Sequence, residues 1–361
     1  MSLTAHPHYA LAQQIAMTTA DYEGGEPGSM NAARVIRWVG QFSAEHQQAI
    51  LAEMSHVLER CYISKQRMAE FLDGLTTNAK LTGGDPGKFW GQAELLDIQE
   101  RGMSQRDMVA LLRERLNGKG LPTKPTMEPA HFVYLDDAIF TGNHLFRDLS
   151  KWINQSAPQE TSVHVITAAL HRSGHYRALI NKKENLNTIA KAAGKSITFT
   201  CWRLDDLEIE DRRFSVNVSD VLRPKAAPAD VRVEAYVTTL EEELRVAAEK
   251  YKIAFGLTWR SGDNVGNGKF FSSGAARALL EEQMLIAGCR IRELSPHFNQ
   301  SARPLGYQFL STLGFGGLVV TYRNCPNNCP LAWWADAPWY PLFPRRTNNT
   351  TAIVRMFEDL T

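Results

Sequence analysis

The sequence predicts an α/β fold with a mainly parallel sheet. Strand-like and helix-like stretches alternate between residues 93 and 204, which is the pattern of βαβ units. Two of the strand-like runs, His131–Leu135 and Val163–Leu170, are almost wholly apolar, as expected of strands covered on both faces. The chain after Asp205 is less regular, so we expect an irregular α+β extension of the parallel core.

Composition places the chain among ordinary globular proteins. Hydrophobic residues make up 44% and charged residues 22% of the 361 residues, which excludes wholesale disorder. The 40 basic and 39 acidic residues leave a net charge of +1, which argues against a protein that coats nucleic acid or an anionic membrane by bulk charge. No apolar run reaches the roughly 18 residues that a membrane helix needs.

Neither the beginning of the chain nor the cysteines point to secretion. Met1–Met17 has no basic segment before its apolar residues, unlike a secretory signal. The five cysteines are odd in number and mostly scattered, which suits a reducing compartment. We therefore expect a cytoplasmic protein.

The N-terminal part is predicted to be helical. The first 40 residues look irregular, with a loop at Glu23–Ser29, whereas apolar residues at helical spacing predict one or two helices over Ser43–Leu75. Leu81–Lys88 predicts a loop and a domain boundary. This divides the chain into a helical region at 1–80 and a core with its extension at 81–361.

Strands and helices follow in turn along the core. The predicted strands are Ala93–Gln99, His131–Leu135, Val163–Leu170 and Ser196–Leu204. Predicted helices begin at Ser104, run from 142 to 153 and end near Gly194. Further on, the patterns predict a loop at Pro224–Pro228 and helices at Thr239–Tyr251 and Ser272–Gly288, with Gly288 as the stop.

One segment has the pattern of a sugar-phosphate site. An apolar strand leads into Asp136 and Asp137, and Thr141-Gly142 opens the next helix. Ligands of parallel sheets bind at the carboxyl ends of the strands, and a helix N-terminus offers unpaired N–H groups to an anion. Carboxylates accept hydrogen bonds from vicinal hydroxyls. The alternative is that the acids only begin a turn and Thr141 only caps a helix.

Two other phosphate-related motifs are excluded. A haloacid-dehalogenase-type phosphatase needs Asp-x-Asp after its strand, whereas Asp136 and Asp137 are adjacent. Leu81–Lys88 resembles a P-loop only superficially, because Thr82 stands in place of its first glycine and Phe89 in place of its Ser or Thr.

Residues Val133–Leu145 resemble the phosphoribosyl-pyrophosphate (PRPP) signature of type I phosphoribosyltransferases. The resemblance implies a sheet of that type and Mg²⁺ as the ion that accompanies PRPP. It implies that Asp136 and Asp137 engage the ribose hydroxyls at the catalytic centre. It assigns the 5′-phosphate to Thr141, Gly142, Asn143 and His144.

The same comparison shows two departures from the signature. The family usually has a small or hydroxyl residue where Phe140 stands, and Thr or Ser where His144 stands. Fewer hydroxyl donors therefore face the phosphate, although a protonated His144 supplies a positive charge at lower pH.

Type I phosphoribosyltransferases hold the pyrophosphate in an earlier loop, which the resemblance places after the strand Ala93–Gln99. Arg101 then supplies charge, Gly102 allows close approach, and Ser104 and Gln105 are neutral donors. A capped helix start without a ligand explains these residues equally well.

A second resemblance covers most of the chain. The runs RPLGY at 303–307, GFG at 314–316 and TYRNCPNN at 321–328 occur in this order before Trp333-Trp334. They are similar to the phosphoribosyltransferase-like domain of bacterial conflict systems, which is encoded near retron and other anti-phage modules. The resemblance implies a setting in phage defence, with a retron reverse transcriptase and its non-coding RNA or other defence-module proteins as partners. It makes residues 205–361 a C-terminal hood.

The residues Tyr322, Arg323, Asn324, Asn327 and Asn328 are candidates for the base side of the site. They combine an aromatic face, a cation and carboxamides, which can stack on a base and bond to its edge. The alternative is a structural turn, because Asn and Pro are favoured in turns.

Three remaining features are given structural interpretations. Cys325 and Cys329 lack a second Cys/His pair of suitable spacing, so we expect no zinc site. Asp205-Asp206 is predicted to form a turn, because no Thr-Gly loop follows it. The aromatic residues of the C-terminal part are expected in packing or in an interface; they are Trp333, Trp334, Trp339, Tyr340 and Phe343.

Three functions stay open on the sequence. As an enzyme, the protein transfers a ribose-5-phosphate unit or cleaves a bond at the anomeric carbon. As a binding module, it senses PRPP or a nucleotide, or helps to assemble a defence complex. A nucleic-acid-binding protein is the third, which the charge balance disfavours. No membrane partner is expected, and an oligomer is left open.

Overall fold

The computed structural model describes residues 3–23, 28–99, 104–212, 218–251, 256–295, 298–308 and 311–345. Its helices are α1 (Tyr9–Thr18), α2 (Ala32–Val39), α3 (Gln47–Cys61), α4 (Lys65–Thr76), α5 (Ala79–Thr82), α6 (Pro86–Gly91), α7 (Ser104–Gly118), α8 (Asn143–Gln155), α9 (Arg172–His175), α10 (Leu186–Ala192), α11 (Val231–Tyr251), α12 (Gly274–Leu294) and α13 (Leu331–Trp334). Its strands are β1 (Tyr62–Ile63), β2 (Ala93–Leu95), β3 (His131–Ile139), β4 (Glu160–His171), β5 (Ser196–Trp202), β6 (Glu208–Ile209), β7 (Asp211–Arg212), β8 (Val218–Ser219), β9 (Ala302–Arg303), β10 (Gly306–Tyr307) and β11 (Val320–Thr321). Short 3₁₀ turns lie at Leu3–Ala5 and Asp205–Leu207, and a π-helical turn at Tyr176–Ile180.

The chain forms two compact units. Unit 1 consists of Met1–Ser64 and Asp211–Thr361, and unit 2 of Lys65–Glu210. The sequence predicts a boundary at residue 80, between a helical region and a core with its extension. That division differs from these limits and stays a prediction.

Unit 2 contains the parallel sheet. Its strands lie in the order β2-β3-β4-β5, all neighbours are parallel, and β6 pairs with the end of β4. The predicted α/β fold with a central parallel sheet is confirmed. Because β2, β3 and β4 are adjacent and parallel, the residues that follow each strand meet at one edge of the sheet.

The core of unit 2 follows from strand alternation. Alternate residues of β3 and β4 point to the same face and pack with apolar residues of α8 and α10. The buried set includes Phe132, Tyr134, Val163, Val165, Leu145, Leu149, Ile153 and Leu186. At the start of α10, Asn185 and Thr188 form a reciprocal capping box, which satisfies N–H groups that the helix leaves unpaired.

Two local predictions in unit 2 are wrong. The apolar strand does not end before the acidic pair, because β3 continues to Ile139 and Asp136 still pairs with Thr167 of β4. The predicted loop Leu81–Lys88 instead contains the end of α5 and the start of α6. Asn78 and Asp85 provide the N-caps of these short helices, and such polar caps look like loop residues in a sequence.

Unit 1 corrects three further predictions. The first 40 residues are not irregular, since they contain α1 and α2. The helix α11 begins at Val231 rather than Thr239. The helix α12 does not stop at Gly288; there a Cβ atom would lie 2.5 Å from the carbonyl oxygen of Pro304. Gly288 therefore provides room for a neighbouring segment inside the helix.

The interior of unit 1 is aromatic and partly ionic. Trp333, Trp334, Trp339 and Phe343 are almost fully buried, so the packing interpretation of this cluster holds. Within the described residues, none of the helices is both long and apolar enough to cross a bilayer.

Candidate functional site

Asp136 lies inside the carboxyl edge of the sheet. It is 8% exposed, and its Oδ1 accepts hydrogen bonds from Asp137 N at 3.0 Å and from Ser104 Oγ at 3.2 Å. Burial first, and then the charge of Asp137, raise the pKa of Asp136 well above its ordinary value.

Asp137 is the more accessible member of this pair. It is half-buried, and its Oδ1 accepts a hydrogen bond from Ala138 N at 2.9 Å. Asp137 therefore offers its acceptor oxygens to a ligand more readily than the buried Asp136 does.

Ser104 and Gln105 connect the segment after β2 to the acidic pair. Ser104 Oγ lies 3.1 Å from Gln99 Oε1 as well as 3.2 Å from Asp136. Gln105 is fully buried, and its Oε1 accepts hydrogen bonds from the backbone N–H groups of Ile98 and Gln99 at 2.7 and 2.9 Å. Gln105 thus fixes the start of the loop.

The predicted contacts of this loop with pyrophosphate stay a prediction. Arg101 and Gly102 lie outside the described residues. Of the other two residues, Ser104 is half-buried beside the acidic pair, whereas the side chain of Gln105 is occupied by backbone groups.

The loop into α8 has the backbone of an anion site. Gly142 has φ +73°, is the N-cap of α8 and makes no side-chain cap. Asn143 and His144 are exposed and Thr141 is half-buried; the hydroxyl of Thr141 lies 3.5 Å from Asn143 N. The loop therefore places exposed residues at the N-terminus of α8, where the positive end of the helix dipole lies.

The buried carboxylate of Asp148, on α8, connects this helix to β3. The hydroxyl of Tyr134 donates a hydrogen bond to Asp148 Oδ2 at 3.3 Å, and Arg147 donates to Asp148 Oδ1 at 3.0 and 3.1 Å. Burial and the charges of Asp136 and Asp148 raise the pKa of Tyr134. Sequence analysis missed this contact, although a lone Asp on the apolar face of a helix is a detectable signal.

The segment after β4 is a second element that sequence analysis missed. His171 ends β4 and its Nδ1 accepts a hydrogen bond from Ser173 N at 3.1 Å. Gly174 follows in α9 and touches the loop at Gly142, where a Cβ atom would lie 2.4 Å from the carbonyl oxygen of Gly174. This loop contact brings the ends of β3 and β4 together.

The candidate base-side residues belong to unit 1, whereas the acidic pair belongs to unit 2. They take part in the hydrogen bonds of a turn. Asn324 Oδ1 accepts from Cys325 N at 3.0 Å, and Asn328 Nδ2 donates to the carbonyl of Tyr307 at 3.1 Å. Tyr322 is 6% exposed. Arg323 and Asn327 are half-buried in the same turn, and a role of the group at a base stays a prediction.

The other polar motifs behave as turns or as core. Asp205 and Asp206 lie in a 3₁₀ turn, and Asp206 pairs with Arg67. Cys325 and Cys329 are free and buried. Among the described residues, His, Cys, Asp and Glu side chains form no group of three or more that could hold a metal ion.

Comparison with known families adds one finding. A family model described as PRTase-CE, a phosphoribosyltransferase-like domain, matches residues 35–345, which include all of unit 2. No curated protein and no solved structure matches the chain.

Proposed function

The chain belongs to the PRTase-CE family, and from this membership and the geometry of unit 2 we propose that it binds a 5′-phosphorylated ribose, as PRPP or as a nucleotide. One observation carries the proposal. Two adjacent carboxyl groups and a glycine-opened helix N-terminus lie seven residues or fewer apart on the same strand–loop–helix segment. A diol and a phosphate of one sugar phosphate match these two groups.

The roles of the residues follow from their accessibility. Asp137 accepts hydrogen bonds from the ribose hydroxyls, and Asp136, held by Ser104 and by Asp137 N, orients it. The N–H groups of Asn143, His144 and the residue after them receive the 5′-phosphate. Thr141 adds a hydroxyl donor.

As a transferase, the protein would act mainly by positioning. With PRPP, the bond from the anomeric carbon to a pyrophosphate oxygen breaks while a bond to the acceptor forms, and pyrophosphate leaves with the electron pair. Fixing the ribose at its diol and its phosphate aligns the anomeric carbon between the two groups. In a hydrolase, water replaces the acceptor.

Mg²⁺ enters this proposal with the substrate. Mg²⁺ is typically held by one or two carboxylates together with substrate phosphates and waters, and the oxygen donors of Asp136 and Asp137 suit it. Asp137 is the residue that would hold it, because Asp136 is almost fully buried. When bound, the ion neutralises the charge of the leaving pyrophosphate.

The binding proposal is tested with the double variant Asp136→Asn/Asp137→Asn. We expect loss of PRPP binding in calorimetry with Mg²⁺ present, and an unchanged circular dichroism spectrum. The matched control is Asp205→Asn/Asp206→Asn, a second acidic pair that is exposed to solvent. Equal PRPP affinity in the wild type and in the Asp136/Asp137 variant would contradict the proposal.

A sensor without turnover is the second candidate function. It is favoured by Phe140 and His144, which replace the usual small or hydroxyl residues of a phosphate loop, and Phe140 is 7% exposed. Incubation with PRPP, Mg²⁺ and a mixture of nucleobases and nucleotides separates the two candidates. Release of pyrophosphate or base supports the enzyme, and saturable binding without release supports the sensor.

We further propose that ligand binding serves anti-phage defence, as the resemblance to conflict-system domains suggests. The Asp136→Asn/Asp137→Asn variant should then lose protection in a plaque assay of the complete defence module. The Asp205→Asn/Asp206→Asn variant should retain it.

A further inference from the structure

Gly142 and Gly174 meet with their backbones in direct contact. A Cβ atom on Gly142 would lie 2.4 Å from the carbonyl oxygen and 2.9 Å from the Cα of Gly174. A Cβ atom on Gly174 would lie 2.5 Å from the carbonyl oxygen of Phe140 and 3.1 Å from Gly142 N. Neither position accepts a side chain without movement of the other segment's backbone.

The two glycines are required for different reasons. Gly142 has φ +73°, a conformation that favours glycine whatever the space around it. Gly174 lies in the right-handed helical turn α9 and has no positive φ. Alanine is favoured over glycine in helices by about 1 kcal/mol, so the lack of space accounts for glycine at 174. The closest atom is the carbonyl oxygen of Phe140, and Cγ2 of Ile139 follows at 3.0 Å.

The segment that carries Gly174 is anchored on its other side. β6 pairs with the end of β4, with His171 opposite Ile209. Arg172 forms ion pairs with Glu208, at 2.8 Å, and with Glu210. Both glutamates are largely buried, and charge-assisted hydrogen bonds of this kind are stronger than neutral ones. The turn α9 is therefore fixed to the sheet edge.

The π-helical turn that follows α9 reaches the first turn of α8. The guanidinium of Arg177 lies 3.8 Å from the centre of the Phe146 ring, and Phe146 N donates to the carbonyl of Gly142 at 2.9 Å. The segment from 172 to 177 thus touches the loop at Gly142 and the helix at Phe146. π-helical turns of this kind occur frequently at functional sites.

We propose that Gly174 is a positioning residue of the 5′-phosphate site: its backbone fixes the loop Phe140–Gly142 so that the first N–H groups of α8 point at the phosphate. This inference rests on the proposed binding of a phosphorylated ribose. A side chain at 174 has to displace the carbonyl of Phe140 by about 0.9 Å to restore the ordinary contact distance of 3.4 Å. A misplacement of about 1 Å costs up to about 100-fold in the rate of a positioned reaction, and we expect a loss of affinity of at most this size here.

The test compares Gly174→Ala with Gly118→Ala in the full chain. Gly118 has nothing within 4 Å of its Cβ position, so its variant should behave as the wild type. For Gly174→Ala we expect affinity for ribose 5-phosphate to fall about 10- to 100-fold in calorimetry. Affinity for inorganic pyrophosphate should be unchanged, because that ligand is assigned to the loop before α7. An equal loss for both ligands would mean general damage and would overturn the proposal.

Hydrogen exchange provides a readout that needs no ligand. Amides 141–146 should exchange faster in Gly174→Ala, while those of α10 remain as in the wild type. If the wild type binds no sugar phosphate, the proposed function fails, and this exchange pattern still decides whether Gly174 positions the loop. If Gly174→Ala does not fold, Arg172→Gln removes the anchoring ion pairs of a half-exposed side chain, and unchanged exchange at 141–146 in that variant would overturn the proposal.

Discussion

Three features of its surroundings affect the pKa of Asp136. It is buried, it adjoins a second carboxyl group, and it accepts hydrogen bonds from Ser104 and from its own chain neighbour. The first two raise its pKa and the hydrogen bonds lower it, with burial the largest cause. A buried carboxyl group with a raised pKa is more typical of a functional position than of one that stabilises the fold.

Asp136→Asn should therefore stabilise the folded protein at higher pH. A folded-state pKa above the unfolded value means that the folded state binds more protons, so the free energy of unfolding of the wild type falls as the pH rises past the ordinary Asp value near 4. Each unit of pKa elevation corresponds to about 1.4 kcal/mol. Asparagine removes this dependence, and its stability advantage over the wild type should grow with pH.

Urea denaturation of both proteins at several pH values measures this difference. The exposed Asp205→Asn is the control, and it should leave the pH dependence unchanged. The prediction is wrong if the free energy of unfolding of the wild type rises with pH above 5 in parallel with that of the variant. In that case ionisation of Asp136 has no free-energy cost in the folded state.

At the level of strands, a hydrogen-bonded chain of side chains crosses the sheet of unit 2. Trp202 Nε1 on β5 donates to His164 Nδ1 on β4 at 3.2 Å, which places the proton of His164 on Nε2. His164 Nε2 lies 3.3 Å from Ser162 Oγ, and Ser162 Oγ lies 2.6 Å from His131 Nδ1 on β3. Burial and the neighbouring His131 lower the pKa of His164 to about 4.

Acid should therefore weaken the contacts between these strands. The unfolded state gains a proton near pH 6.5 while folded His164 stays neutral down to about pH 4, so stability is complete above pH 6.5 and is lost as the pH falls. Between pH 7 and pH 5 the loss should be about 2 kcal/mol.

Chemical denaturation at these two pH values, for the wild type and for His164→Gln, tests this assignment. The exposed His144→Gln should retain the full wild-type dependence. If His164→Gln loses as much stability between pH 7 and pH 5 as the wild type does, other groups cause the acid sensitivity.

At the level of the whole molecule, unit 1 holds a cluster of buried ions in addition to its apolar core. In unit 1, Arg260 and Arg277 both contact Glu281, and the three side chains are 0–1% exposed. Glu281 also accepts a hydrogen bond from Arg223 N at 2.9 Å. Burial lowers the pKa of Arg277, so Glu281 is the charge that makes two buried cations tolerable.

Glu281→Gln should lower the free energy of unfolding by about 3–5 kcal/mol. It removes the carboxylate that contacts Arg277 and leaves Arg260 with Asp263, at 2.7 Å, as its acidic partner. The exposed Glu249→Gln, which loses only a surface ion pair with Arg245, should cost less than about 1 kcal/mol. Thermal unfolding monitored by circular dichroism measures both. A cost for Glu281→Gln no larger than that of the control would show that water or other acceptors neutralise the arginines.

The net charge of +1 does not argue against an anionic ligand. The candidate phosphate site uses backbone N–H groups and a helix dipole rather than a basic surface. A nearly neutral protein is thus compatible with an anionic ligand, because binding is local.

Local patterns determined the parts of the fold that local interactions control. The apolar runs of β3 and β4, the helix that starts at Ser104 and the glycine at the start of α8 were all readable, because strand period, caps and backbone conformation depend on residues a few positions apart. The acidic pair and the phosphate loop were found for the same reason. The helices α1 and α2 were missed, because their short apolar patterns gain stability mainly from packing.

Only the tertiary structure decided what happens between distant segments. The continuation of β3 through the acidic pair depends on pairing with β4, and the raised pKa of Asp136 depends on its burial. The hydrogen bond that opposes this rise comes from Ser104, 32 positions away. The contact of Gly174 with the loop at Gly142 belongs to the same class. Such features depend on which segments pack against a residue and on how far they exclude water from it. Both are properties of the packed chain rather than of any short stretch of sequence.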